Sequence, residues 1–63
     1  MSVGENLKKK RLEAGMSQQQ LGEQVQVSRA MLCQIERGTK SLSLPLAKDI
    51  AMVLNCQLED FLE

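Results

Sequence analysis

The residues that could do chemistry are concentrated between Ser17 and Gly38. At about 100° of rotation per residue, one side of a helix over the second half of this segment carries polar and small side chains. They are Arg29, Ala30, Cys33, Gln34 and Arg37. A guanidinium can donate two hydrogen bonds to guanine O6 and N7, and a primary amide can bond to N6 and N7 of adenine. This side of the helix is therefore suited to contact base edges in DNA.

The opposite side of the same helix is apolar and needs another element to cover it. Met31, Leu32 and Ile35 lie within about 60° of Ser28 around the helix axis. Ser28 is a favoured N-cap residue, and Gly38 is the residue type that most often ends a helix. The pattern predicts an amphipathic helix between these two positions.

A second helix is predicted just before it. Ser17 is an N-cap residue with Gln20 three positions later, so we expect this helix to begin at Gln18. Residues 25–27 then form a short turn. Two short helices joined in this way predict a helix-turn-helix over about residues 18–37.

Three further segments complete the predicted fold. A helix from Val3 to Ala14 ends at Gly15, and another begins after Ser43 with a proline in its first turn. An apolar edge formed by Leu58, Phe61 and Leu62 predicts a short fifth helix or turn. The sequence thus predicts an all-α fold, a compact five-helix bundle that forms one domain over residues 1–63.

The composition favours the same fold class. The chain has 63 residues, 43% of them hydrophobic, with one Phe and no Trp or Tyr, which favours helices packed through aliphatic side chains. A core this small is marginal, so we expect a homodimer. Formal net charge is zero, but all eight Lys and Arg precede residue 49, whereas acidic residues close the chain. This distribution predicts a basic working surface.

Several function classes lack the residues that they need. The chain has no histidine, and its two cysteines do not form a Cys-x-x-Cys pair, so we expect no metal and no cofactor. No Ser-His or Cys-His pairing supports catalysis, and we expect neither an enzyme nor a small-molecule substrate. No signal peptide or spanning segment is evident, which predicts a cytoplasmic protein associated with the nucleoid.

Groups of residues at fixed spacings along nearly the whole chain carry a resemblance to a known family. They are Leu7 and Arg11; Ser17, Gln18 and Leu21; Val27, Ser28, Ile35, Glu36 and Gly38; and Ile50, Ala51, Leu54, Asn55, Cys56, Phe61 and Leu62. In these the chain resembles the Cro and repressor DNA-binding domains of lambdoid phages, part of the XRE-like helix-turn-helix group. The resemblance implies a symmetric dimer on palindromic DNA, with the third helix in the major groove.

The resemblance also implies roles for individual residues. Gln18 corresponds to a phosphate contact, and Arg11 with Glu36 corresponds to an ion pair between the first and third helices. Two positions depart from the family pattern, which usually has Ala where Gly22 stands and Gly where Gln26 stands. Because a non-glycine residue with positive φ is strained, either Gln26 accepts that strain or the turn differs.

The predicted interface follows from both lines of reasoning. The predicted base contacts are Arg29, Ala30, Cys33 and Gln34; the predicted phosphate contacts are Gln18, Arg37, Lys40, Ser41 and Ser43; the candidates for the dimer interface are Leu58 and Phe61. The plainer alternatives are solvated side chains, a capping amide at Gln18, and core packing for Leu58, Phe61 and Leu62. For Cys33, incidental exposure is favoured over a redox switch.

These predictions support a transcriptional regulator of the Cro or repressor type, which binds a double-stranded DNA operator. The alternative is an antitoxin or protein-interaction adaptor that uses the same fold.

Overall fold

The computed structural model describes residues 2–61, and these residues are all helical or irregular, with no strand. The helices are α1 (Val3–Glu13), α2 (Gln18–Val25), α3 (Arg29–Arg37) and α4 (Leu44–Leu54), followed by a 3₁₀ turn at Leu58–Asp60. The predicted start of α2 at Gln18 is confirmed, as is the all-α fold class.

The predicted count of five helices is wrong, because the described residues form four α-helices and one 3₁₀ turn, which is the turn alternative for this segment. In this turn the Phe61 N–H donates to the Leu58 carbonyl at 3.1 Å, and the Gln57 N–H donates to the Asp60 carboxylate at 2.9 Å. Three residues are enough to turn the chain and bring Phe61 into the core. Leu62 lies outside the described residues.

A serine caps the N-terminus of each α-helix. The hydroxyls of Ser2, Ser17, Ser28 and Ser43 accept hydrogen bonds from backbone N–H groups at 3.1, 3.0, 3.0 and 3.4 Å. Each such cap is typically worth about 1 kcal/mol. The cap at Ser2 was not predicted from the sequence, although Ser2 and Glu5 have the spacing of a capping box. The hydrogen bond from the Ser2 N–H lowers the pKa of Glu5.

All four helices and the residue after the 3₁₀ turn supply the core. Its largest fully buried side chains are Leu7, Leu21, Leu32, Ile35, Ile50 and Phe61. The apolar side of α3 faces this core and packs mainly against α1 and α2, which leaves its polar side on the surface.

No helix within residues 2–61 combines the length and the apolar character needed to cross a membrane.

Candidate nucleic-acid interface

A tight turn joins α2 to α3. Gln26 ends α2 with φ 62° and ψ 41°, in the left-handed region, and the N–H of Val27 donates to the Gly22 carbonyl at 2.9 Å. Gln26 therefore accepts the conformation for which glycine is favoured. The residue that ends α2 is therefore left-handed, even though it is a glutamine and not a glycine.

Gly22 is required by this turn more than by the crossing of the helices. A Cβ atom built on Gly22 would lie 2.6 Å from the Val27 carbonyl oxygen and 3.5 Å from Leu32 Cδ1. The first distance is too short for any real contact, whereas the second is an ordinary one. The group that approaches Gly22 most closely is therefore the carbonyl of the turn, and not a side chain of α3.

The backbones of α1 and α3 approach each other closely at Gly4. A Cβ atom on Gly4 would lie 2.5 Å from the Ile35 carbonyl oxygen and 2.6 Å from that of Glu36. Gly4 is buried there and lets the two backbones meet. Sequence reasoning missed this contact, and no local pattern around Gly4 signals it, because the partner residues are distant in the chain.

A buried carboxylate, that of Glu36, connects the C-terminal half of α3 to the rest of the fold. Arg11 Nε donates to Glu36 Oε2 at 2.7 Å and Arg11 Nη2 donates to Oε1 at 3.1 Å. The side chains of Arg11 and Glu36 are 7% and 4% exposed. Arg11 Nη1 also donates to the carbonyl of Met16 at 2.8 Å, just before α2. These bonds tie α1 and the start of α2 to α3.

Gln18 belongs to the same network. Its Nε2 donates to Glu36 Oε1 at 3.0 Å, and the side chain is half-buried at the first position of α2. An amide nitrogen carries two hydrogens, so one donor remains for another acceptor. The backbone N–H groups at a helix N-terminus also favour an anion nearby. We call Arg11, Glu36 and Gln18 the Glu36 network.

The outward side of α3 presents the predicted base contacts. Arg29, Ala30 and Gln34 are exposed, and Cys33 is half-buried between them. The side chains of Arg29 and Gln34 form no hydrogen bond or ion pair with any other residue of the described range 2–61. Their donors and acceptors therefore face solvent, whereas the opposite side of α3 packs in the core.

The loop after α3 carries the remaining predicted phosphate contacts, and all of them are exposed: Arg37, Lys40, Ser41 and Ser43. Gly38 ends α3 with φ 85°, and both the N–H and the hydroxyl of Thr39 donate to the Gln34 carbonyl, at 3.0 and 3.2 Å. Ser43 also caps α4, but its hydroxyl hydrogen stays available because the cap uses only the oxygen as an acceptor.

The two candidates for a dimer interface differ in accessibility. Phe61 is 0% exposed and packs in the core of its own chain, so its assignment to a dimer contact is wrong. Its carbonyl also accepts a hydrogen bond from Asn6 Nδ2 at 3.2 Å. Leu58 is only half-buried and lines a groove of about 450 Å³ together with Val3, Leu42 and Leu44.

The cysteines are separate free thiols, and both are half-buried. Burial, followed by the charge of Asp60, raises the pKa of the Cys56 thiol. Within residues 2–61, no three His, Cys, Asp or Glu side chains are grouped so that they could hold a metal ion.

Comparisons with known proteins agree with this geometry. The model of the helix-turn-helix family HTH_3 matches residues 7–61. A solved structure of the restriction-modification controller protein C.AhdI from Aeromonas hydrophila is similar, with a TM-score of 0.88 at 25% sequence identity. The similarity covers 94% of this chain and 89% of that one. No curated protein sequence matches the chain.

The family match and the similarity to a controller protein indicate a regulator rather than an enzyme. They also agree with an exposed polar side on the second helix of the helix-turn-helix. The chain therefore belongs to the XRE-like helix-turn-helix family of DNA-binding transcriptional regulators.

Proposed function

We propose that this protein is a sequence-specific regulator of the Cro or repressor type that binds a palindromic operator as a homodimer, with α3 in the major groove. The observation that carries the proposal is the exposed polar side of α3, whose Arg29 and Gln34 have no partner within residues 2–61. The Glu36 network and the α2–α3 turn fix the position of α3 relative to α1 and α2.

Sequence specificity in this proposal comes from α3. Arg29, at the first position of the helix, bonds bidentately to a guanine, and Gln34 bonds to an adenine deeper in the groove. Ala30 contributes an apolar contact to a thymine methyl group, and Cys33 lies between these residues on the same side. Each good bidentate contact discriminates against the wrong base by about 1–3 kcal/mol.

Affinity comes largely from the DNA backbone. Gln18 and the N-terminus of α2 contact one phosphate, and the loop after α3 contacts another segment through Arg37, Lys40, Ser41 and Ser43. These contacts position the protein without distinguishing one base pair from another. Because cationic contacts release counterions, binding weakens as the salt concentration rises.

Dimerisation in this proposal uses the groove lined by Leu58, Leu44, Leu42 and Val3. Leu44 lines this groove and is 55% exposed, which is unusually high for a large apolar side chain. Such an exposed apolar patch is typical of a protein–protein contact. A symmetric dimer places two copies of α3 about 34 Å apart, which corresponds to half-sites one helical turn apart. Leu44→Ser and Leu58→Ser should weaken dimerisation in analytical ultracentrifugation and reduce cooperative binding to a two-half-site duplex.

Selection from a random duplex library, followed by mobility shift, tests the proposal. Enrichment of a palindrome with half-sites about one turn apart is the expected result. A library without any enriched sequence at low salt would contradict it and favour the alternative of a protein-interaction adaptor or antitoxin. Transcription from a promoter that overlaps the selected operator then separates a repressor from an activator. We place this action in the cytoplasm, at the nucleoid, where such DNA is found.

A further inference from the structure

Glu36 connects two parts of the proposed interface that are separate in the chain. It lies in the last turn of α3, the base-contacting helix, and its carboxylate accepts a hydrogen bond from Gln18 at the start of α2. Gln18 is the residue that the proposed function places on a phosphate. The Glu36 side chain itself is 4% exposed, so any influence on DNA must pass through another residue.

The chemistry of this contact fixes the orientation of the Gln18 amide. An ionised carboxylate can only accept hydrogen bonds, so the amide nitrogen, and not its oxygen, must face Glu36. Arg11 supplies two further N–H donors to the same carboxylate, at 2.7 and 3.1 Å, and balances its charge. The second N–H of the Gln18 amide is left over from this arrangement.

We propose that Glu36 is a positioning residue that holds the Gln18 amide so that its second N–H is presented to a DNA phosphate. The inference rests on the proposed function, which assigns the phosphate contact to Gln18. A side chain that is already ordered loses less rotamer freedom on binding, which is worth about 2- to 12-fold in Kd. The same bond fixes the position of Gln18, the proposed phosphate contact, relative to α3.

A double-mutant cycle tests the coupling without leaving a buried charge unpaired. Arg11→Met with Glu36→Leu replaces the ion pair by apolar side chains of similar volume, a change that is often neutral for stability. It also leaves the net charge unchanged, so general attraction to DNA is preserved. The pair of substitutions is made in the natural chain and in a Gln18→Ala background. Circular dichroism first shows that each protein is folded. Fluorescence anisotropy then measures its Kd for the selected operator.

The expected loss is about 2- to 12-fold in the natural background and none in the Gln18→Ala background. An equal loss in both backgrounds would show a general structural role and overturn the inference. If Gln18→Ala alone leaves Kd unchanged, the phosphate contact and this inference both fail. If the natural chain prefers no sequence, it is the proposed function that fails.

Nuclear magnetic resonance of the natural chain gives an independent test, even where the substituted proteins do not fold. One Gln18 side-chain amide proton should keep its chemical shift when the operator binds, because it stays on Glu36, and the other should move. The exposed side chain of Gln24 serves as the reference. Movement of both Gln18 protons, or of neither, would contradict the proposed positioning.

Discussion

The two ends of α3 are held by different kinds of interaction. At its N-terminal end the α2–α3 turn is set by backbone sterics, with Gln26 in the left-handed region and the Val27 carbonyl close to Gly22. At its C-terminal end the Glu36 network holds the helix through directional hydrogen bonds to side chains on α1 and α2. The steric end depends on neighbours in the chain, and the polar end depends on residues far apart in it.

This difference predicts how substitutions should act. At the polar end, removing one partner leaves a buried charge without compensation, which is costly. At the steric end, a substitution changes backbone strain by a smaller amount and can act in either direction. The following three predictions are ordered by the size of the expected change in the free energy of unfolding.

Arg11→Ala should destabilise the protein most, by about 3–5 kcal/mol, because the Glu36 carboxylate would stay buried without its cation. Urea unfolding followed by circular dichroism measures the change. Lys10→Ala is the matched control, since it removes the same charge from the neighbouring position, where Lys10 forms a partly exposed pair with Glu13 at 3.6 Å. A loss below about 1 kcal/mol for Arg11→Ala, typical of surface pairs, would contradict the role given to the polar end.

Gly22→Ala should destabilise by about 1–3 kcal/mol, because the new methyl group would collide with the Val27 carbonyl and force the turn to move. Thermal and urea unfolding both measure this. Gln24→Ala, at an exposed position of the same helix, is the control and should change stability by less than about 0.5 kcal/mol. If Gly22→Ala instead raises stability by about 1 kcal/mol, as helix propensity alone predicts, the turn is looser than described.

Gln26→Gly should stabilise the protein slightly, by about 0.5–1 kcal/mol. Relief of the left-handed strain is worth about 1–2 kcal/mol, and part of it is offset by the greater freedom of glycine in the unfolded chain. Asn55→Gly is the control, because Asn55 is also left-handed, at φ 55°, but asparagine tolerates that conformation better. A larger gain at Asn55 than at Gln26 would argue against strain at the turn.

The steric end could be predicted from the sequence better than the polar end. The serine caps of α2 and α3, Gly38 and the anomaly at Gln26 are local signals. The start of α2 follows from them, whereas Val25, predicted in the turn, is the last residue of this helix. The pairing of Arg11 with Glu36 came from resemblance, since side chains 25 positions apart leave no local pattern. The approach of Gly4 to α3 and the bond from Gln18 to Glu36 depend on tertiary packing, so neither was anticipated.

The apolar edge that contains Leu58 and Phe61 shows the same limit of prediction from local sequence. Leu58 and Phe61 share one apolar edge in the sequence, yet Phe61 is fully buried and Leu58 is not. Both side chains pack on the core, Phe61 within it and Leu58 only partly buried against it. Helical spacing alone could not distinguish a core residue from a groove residue here.

The central claim is that α3 contacts bases while the loop beyond it contacts the backbone. The direct test measures Kd for Arg29→Ala and Lys40→Ala on the selected operator, on its single-base variants and on an unrelated duplex over a range of salt. Arg29→Ala should lose about 1–3 kcal/mol of discrimination at one symmetric base position. Lys40→Ala should weaken binding to every duplex and reduce the salt slope by about one. Equal losses on all duplexes for both variants would contradict this division of roles.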